Sequence, residues 1–142
     1  MNIQIKKINE LAKIPSKSSE DDAGYDISSC EDVTIQPMSR QLVKTGICIS
    51  VPGGYYAHIS DRSGMALKYG AHCLGKIIDP SFRGEIGVII YNTDMYTPIK
   101  IKQGQRIAQL IIKKYENVKF LETEEELNVT NRGGKGFGSS GE

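Results

Sequence analysis

Ile99-Lys100-Ile101-Lys102-Gln103-Gly104-Gln105-Arg106-Ile107-Ala108-Gln109-Leu110-Ile111-Ile112 is the stretch that decides the fold class. Ile99 and Ile101 alternate with lysines, Gln103-Gly104 marks a turn, and a second apolar run carries Gln109 inside it. Successive side chains of a strand point to opposite faces, so a spacing of two buries one face; a helix would need spacings of three and four. The same period recurs outward. Ile86, Val88 and Ile90 show it, as do Ala57 and Ile59, then Ile47, Ile49 and Val51, then Val33 and Ile35, and Ile3 and Ile5. Val118 to Phe120 closes the series on the C-terminal side. Turn signals separate the runs at Gln36-Pro37, Pro52-Gly53-Gly54, Arg83-Gly84 and Asn92-Thr93-Asp94. Many short strands broken by turns predict an all-β protein, a jelly-roll-like β-barrel.

Ser63-Gly64-Met65-Ala66-Leu67-Lys68-Tyr69 departs from that period. It holds helix formers, with Ser63 as a cap candidate and Gly70 as a stop, and predicts one short helix. The acidic run Glu122 to Glu126 reads as a solvated connector. The expected organisation is one β-barrel domain over 1–131, with a glycine-rich lid over 132–142 belonging to it.

A chain of 142 residues is long enough for one domain with a real core. A net charge of +1 argues against a broad polyanion-binding surface, so no nucleic-acid partner is expected. Three cysteines without a C-x-x-C spacing read as buried thiols in a reducing compartment. His58 and His72 form no ligand pair, so a structural zinc site is not expected. The start, Met1-Asn2-Ile3-Gln4-Ile5-Lys6-Lys7, lacks a signal-peptide apolar stretch, and no run is long enough to span a bilayer. The expectation is a soluble intracellular protein without a membrane partner, cytoplasmic or nuclear.

Four segments could carry chemistry. In Asp22-Ala23-Gly24-Tyr25-Asp26-Ile27, Gly24 signals a special backbone angle or a close approach, and Asp26 could hold a cation directly or through water. The same residues also spell an ordinary turn. In Asp61-Arg62-Ser63-Gly64, free N–H groups at a helix start, with Arg62 and Ser63, suit phosphate, whereas Asp61 does not. In Ile77-Ile78-Asp79-Pro80-Ser81-Phe82-Arg83-Gly84, Asp79 follows an apolar run and is expected to be partly desolvated, as a water-orienting base would be. An ordinary hairpin with a turn Asp and a core Phe fits that segment equally well. Gln109 is an amide within an apolar alternation and needs partners from backbone, water or a ligand oxygen.

The tail, Arg132-Gly133-Gly134-Lys135-Gly136-Phe137-Gly138-Ser139-Ser140-Gly141-Glu142, is glycine-rich and expected to be flexible. Its groups suit a ligand with a flat face and anionic oxygens: Phe137 stacks, Arg132 forks onto phosphate, and Ser139 and Ser140 donate. Gly136-Phe137-Gly138-Ser139-Ser140-Gly141 matches G-x-G-x-x-G but has no strand before it and no room for a helix after it. Composition alone fits a solvated terminus as well.

Taken in order, AGYDI, RSG followed by MA, IDPSFRGEIGV, GQRIAQLI and RGGKGFGSSG resemble the five motifs of the trimeric dUTPases, from about residue 23 to the end of the chain. The resemblance implies a jelly-roll-like barrel assembled as a homotrimer with shared active sites. It implies a dUTP diphosphatase that hydrolyses dUTP to dUMP and pyrophosphate with Mg2+, supplying dUMP and keeping uracil out of DNA. By correspondence, Asp79 would activate the water that attacks the α-phosphorus, and Asp26 would hold Mg2+ through water. Arg62, Ser63, Gly64, Gln109 and Arg132 would hold phosphate oxygens. Phe137, with Gly138 beside it, would cover the uracil, and Ser139 and Ser140 would bind the outer phosphates.

The chain also departs from that pattern. Phe82 stands where the sugar-stacking ring is usually Tyr, and Lys76 where Gly usually lies near the uracil. Asp61 replaces the usual Pro, and Ser81 replaces a frequent acid. Two other functions remain open on the sequence. One is deamination of dCTP, for which Glu85 is the hairpin carboxylate available to shuttle a proton. The other is a nucleotide-sensing module with little turnover.

Overall fold

The computed structural model of the chain describes residues 1–136. Within them eleven strands and one helix follow one another: β1 (Gln4–Lys7), β2 (Tyr25–Ser28), β3 (Val33–Ile35), β4 (Arg40–Lys44), β5 (Ile47–Ser50), β6 (Tyr55–Asp61), α1 (Ser63–Tyr69), β7 (Ala71–Leu74), β8 (Ile77–Ile78), β9 (Gly87–Asn92), β10 (Ile99–Ile101) and β11 (Arg106–Lys114). All named strand pairs are antiparallel. The strands form four sheets, ordered β2-β11-β6-β8, β4-β9-β7, β1-β5 and β10-β3. The all-β expectation holds, with the sheets packed around one core and not hydrogen-bonded into a closed barrel.

The period-two residues build that core. Ile86, Val88 and Ile90, Ile99 and Ile101, Ala57 and Ile59, and Ile47, Ile49 and Val51 are all buried. Apolar burial contributes about 25 cal/mol per Å2 removed from water, so one-sided strands must bring these faces together. β11 is the organising strand, flanked by β2 and β6, so that Gln109 lies opposite Asp26 on one side and Ser60 on the other.

The helix spans the expected residues, but Ser63 is its first helical residue and not its cap. Arg62 takes the cap position in an extended conformation, with no side-chain cap bond. Gly70 ends the helix at φ 61° and donates its N–H to Ala66 and Met65 carbonyls. A Cβ there would collide with Thr93 Oγ1, so glycine is required by both backbone angle and space.

Two further expectations are corrected, and two strands were not foreseen. Ile77 to Val88 is not a paired hairpin, because β8 pairs with β6 whereas β9 pairs with β4 and β7. The two arms diverge into different sheets. Val118 to Phe120 is not a strand; Val118 and Phe120 are 65% and 94% exposed. Alternation gives a segment a sided surface but cannot give it a neighbouring strand. β4 and β7 were not anticipated: β4 buries only Val43, and β7 buries only the small Ala71 and Cys73. The acidic run is solvated as expected, with Glu122, Glu124, Glu125 and Glu126 all exposed.

Candidate active site

Asp26 is a buried carboxylate held between two guanidiniums. Its side chain is only 8% exposed. Arg62 Nε donates to Oδ1 at 2.8 Å, and Arg106 Nη1 donates to Oδ2 at 3.0 Å. Arg62 also reaches the Arg106 carbonyl at 3.4 Å. A buried carboxylate is costly unless its oxygens are matched, and charge-assisted hydrogen bonds to guanidinium are the strong way to match them. The chain supplies them because β2 lies beside β11, whose register shift between Arg106 and Ala108 re-aims the Arg106 side chain. Ser16 fixes the other flank through backbone bonds in both directions with Asp26.

Gly24 is the close-approach glycine. A Cβ there would come within 3.0–3.2 Å of the Gln109 side chain. Gln109 is thereby packed onto the β2 backbone, and its amide makes no hydrogen bond to another described residue. Asp26, Arg62, Gly64, Lys13, Lys68 and Arg106 all line one cavity of about 610 Å3. Ser63 and Gly64 are exposed at the first turn of α1, where helix geometry leaves their N–H groups without an intrahelical acceptor.

Asp61, the residue at odds with phosphate, is turned toward β7. Its Oδ1 accepts the Cys73 N–H at 2.6 Å, and its Oδ2 lies 2.8 Å from His72 Nδ1 and 3.5 Å from Lys76 Nζ. Two departures from the family pattern, Asp61 and Lys76, are therefore partners. Burial of Asp61 would raise its carboxyl, but the Cys73 N–H and thiol, His72 and Lys76 together outweigh it and hold it below the ordinary value. Burial, then the Asp61 carboxylate, pushes the Cys73 thiol up to about 12. Cys30 and Cys73 are buried free thiols as expected, whereas Cys48 is only half-buried.

Asp79 lies elsewhere, on the turn after β8. It lines a second cavity of about 480 Å3 with Tyr56, Ile77, Pro80, Ser81 and Tyr115. Contrary to expectation it is exposed, because it follows the last residue of β8 on the turn and continues the outward side that Ile77 presents. The turn is closed by Phe82 N–H to the Asp79 carbonyl at 3.1 Å, and by Arg83 to the Phe82 carbonyl at 2.8 Å. Phe82 is 43% exposed, not a core residue, and a Cβ on Gly84 would stand 2.6 Å from its ring. Glu85 accepts the Gly46 N–H at 2.8 Å, which ties the proton-shuttle candidate to backbone.

Arg132 is exposed and donates to the Lys135 carbonyl at 2.9 Å. Phe137, Gly138, Ser139 and Ser140 lie outside the described residues. The structure thus brings Asp26, Arg62, Gly64 and Gln109 together and leaves Asp79 and Phe82 apart from them. Sequence reading missed Arg106, although it lies in the quoted GQRIAQLI segment, and missed Lys13 and Ser16, which belong to no motif. Among the described residues no group of three or more His, Cys, Asp or Glu could hold a metal ion, and no helix is long and apolar enough to cross a membrane.

A family model described as dUTPase matches residues 10–141. The chain is 48% identical over 140 residues to the deoxyuridine 5'-triphosphate nucleotidohydrolase of Paramecium bursaria Chlorella virus 1, covering 99% of this chain and 98% of that one. It is 43% identical to the enzyme of that name from Clostridium novyi, covering 99% of each. Its structure resembles that of Staphylococcus bacteriophage 80alpha dUTPase with dUPNHPP, at a TM-score of 0.90 and 31% identity, over 99% of this chain and 98% of that one. It also resembles a mutant dUTPase from phage phi11 of S. aureus, described with a structural Mg(II) ion, at a TM-score of 0.83 and 26% identity, over 88% of this chain and 98% of that one.

Proposed function

The chain belongs to the dUTPase family, and from that premise we infer that it is a dUTP diphosphatase, cleaving dUTP to dUMP and pyrophosphate. Asp79 is the proposed water-activating base, attacking through that water at the α-phosphorus. An exposed carboxylate on a turn closed by its own carbonyl can accept a proton from water held against a bound phosphate. Arg62, with the Ser63 and Gly64 N–H groups, holds phosphate oxygens before charge develops on them, which is where preorganised donors act most strongly. Gln109 adds its amide. Phe82 presents a ring face to the sugar. Arg132, Phe137, Gly138, Ser139 and Ser140 form the lid of the same domain and exclude bulk water when closed.

Asp26 is the proposed metal-side residue. Two guanidinium bonds leave lone pairs on its oxygens, enough to accept from waters around an ion but not enough to build a cage. Such a donor set fits Mg2+ arriving on the triphosphate and keeping most of its waters. When bound, the ion neutralises phosphate charge. Lys76, expected near the base, bonds Asp61, so its part in binding is through that contact.

One observation carries the assembly: the cation-lined cavity and the Asp79 cavity are distinct within one chain. A homotrimer whose sites each draw on neighbouring chains would reunite them. The protein is proposed to act as a soluble intracellular enzyme. Pyrophosphate release from dUTP beside dTTP, dCTP and UTP, with and without Mg2+, tests the activity. Preference for dUTP by at least about a hundredfold is expected, since dTTP and UTP add a methyl or a hydroxyl that a closed site must make room for, and dCTP presents an amine where uracil has a carbonyl. Equal rates on all four would refute it, and dUTP formed from dCTP would favour deamination. Sedimentation at a monomer's mass would overturn the shared site.

A further inference from the structure

Lys13 and Lys68 belong to none of the motif segments, yet both line the Asp26 cavity. Lys68 comes from the last turn of α1. Lys13 comes from the segment before β2, which is anchored at both ends. Ser16 pairs with Asp26 through backbone bonds, and Gln103 Nε2 donates to the Leu11 carbonyl at 3.3 Å. Lys13 Nζ itself donates to the Gly104 carbonyl at 3.0 Å. Gly104 has φ +79°, and a Cβ there would stand 2.8 Å from that ammonium, so the bare backbone is what lets Lys13 lie where it does.

The charges in the cavity are unequal. Four cations, Lys13, Arg62, Lys68 and Arg106, face one carboxylate, Asp26. Both guanidiniums already engage Asp26, so its single negative charge is set against those two and not against the lysines. Among the described residues neither lysine has a carboxylate partner. A concave site lined with one sign of charge focuses its field on an incoming ion of opposite sign. Lysine meets such an ion as a flexible point charge, able to follow phosphates at different distances.

We propose that Lys13 and Lys68 bind the outer phosphates of the triphosphate, completing a set that Arg62 and Gly64 begin. The inference rests on the reading of this cavity as the phosphate site. It assigns the N-terminal segment a direct part in substrate binding and makes the two lysines selective for a triphosphate over a monophosphate.

The test compares Lys13→Ala, Lys68→Ala and the double variant with the unaltered chain. Each single change is expected to raise KM for dUTP about five- to tenfold, the loss of roughly one charge-assisted hydrogen bond, with kcat within about twofold. Inhibition by dUMP should move less than about twofold, because dUMP has no outer phosphates. Lys100→Ala, on β10 and outside the cavity, should change none of these. Binding of inorganic tripolyphosphate, followed by calorimetry, should weaken in the same two variants. Equal losses for dUMP and dUTP, or unchanged KM and tripolyphosphate affinity, would overturn the proposal. The tripolyphosphate arm needs no turnover. A chain that fails to hydrolyse dUTP yet shows lysine-dependent tripolyphosphate binding would sink the assigned reaction and leave this inference standing.

Discussion

Asp26 and Asp79 are two aspartates of one proposed site, and the fold treats them in opposite ways. Asp26 is buried between two guanidiniums and pinned by Ser16 on its backbone. Asp79 stands exposed on a turn, with no ion pair to any described residue. The first carboxylate is completed by its own chain. The second is left for groups that arrive from outside: a water, a substrate, another subunit. A charge whose partners are built in fixes geometry, whereas a charge without them remains available for chemistry.

The largest expected effect breaks the open half. Asp79→Asn should lower kcat by about a thousandfold or more, as loss of a general base does, while dUTP binding and the melting temperature stay close to the parent's. Steady-state kinetics with calorimetry checks both. A variant retaining about a tenth of the activity would move the base elsewhere. Next comes removal of residues 132–142, expected to cost about a hundredfold in kcat/KM by opening the site to water, with an unaltered circular dichroism spectrum. Full activity in the truncated chain would deny the lid.

Asp26→Asn sharpens the comparison from the closed half. It leaves Arg62 and Arg106 without their shared anion, and both guanidiniums are partly solvated, which tempers the cost. A stability loss of about 2 kcal/mol is expected in urea unfolding, with about a tenfold rise in KM. The same change at Asp79 should leave stability alone; equal destabilisation by both would erase the distinction.

The smallest effect is alkaline. The Cys73 thiol is raised from 9.0 to about 12 in the fold. Its contribution is therefore fully present below pH 9 and is lost as pH rises from 9 toward 12, because the unfolded chain gives up that proton first. Cys73→Ala should flatten this limb of a stability–pH profile. An equally steep fall in the variant would show that other groups cause it. Asp61 acts with the opposite sign: held below 3.8, its contribution is present above that value and is lost as pH falls through the lowered one.

The sequence showed the core face of β9 and β10, because a period of two survives any arrangement of sheets. It showed Gly70 as the end of α1, because helix termination is local. It did not show that β8 and β9 part company, since the choice of partner strand depends on distant residues. It showed that Asp61 sits uneasily beside a turn suited to phosphate, but not that the side chain turns to Cys73, His72 and Lys76. Arg106 was hidden by a register shift, which redirects a side chain without altering composition.

Period and turn residues, properties of near neighbours along the chain, were enough to specify an all-β fold, and the resemblance of the ordered motifs to those of the dUTPases nominated Asp26, Arg62, Gln109 and Asp79. Only the folded chain decided which of those groups meet. Hydrogen bonds and ion pairs depend on distances across β2, β6, α1 and β11, and those distances are set by sheet pairing and core packing that no local pattern encodes.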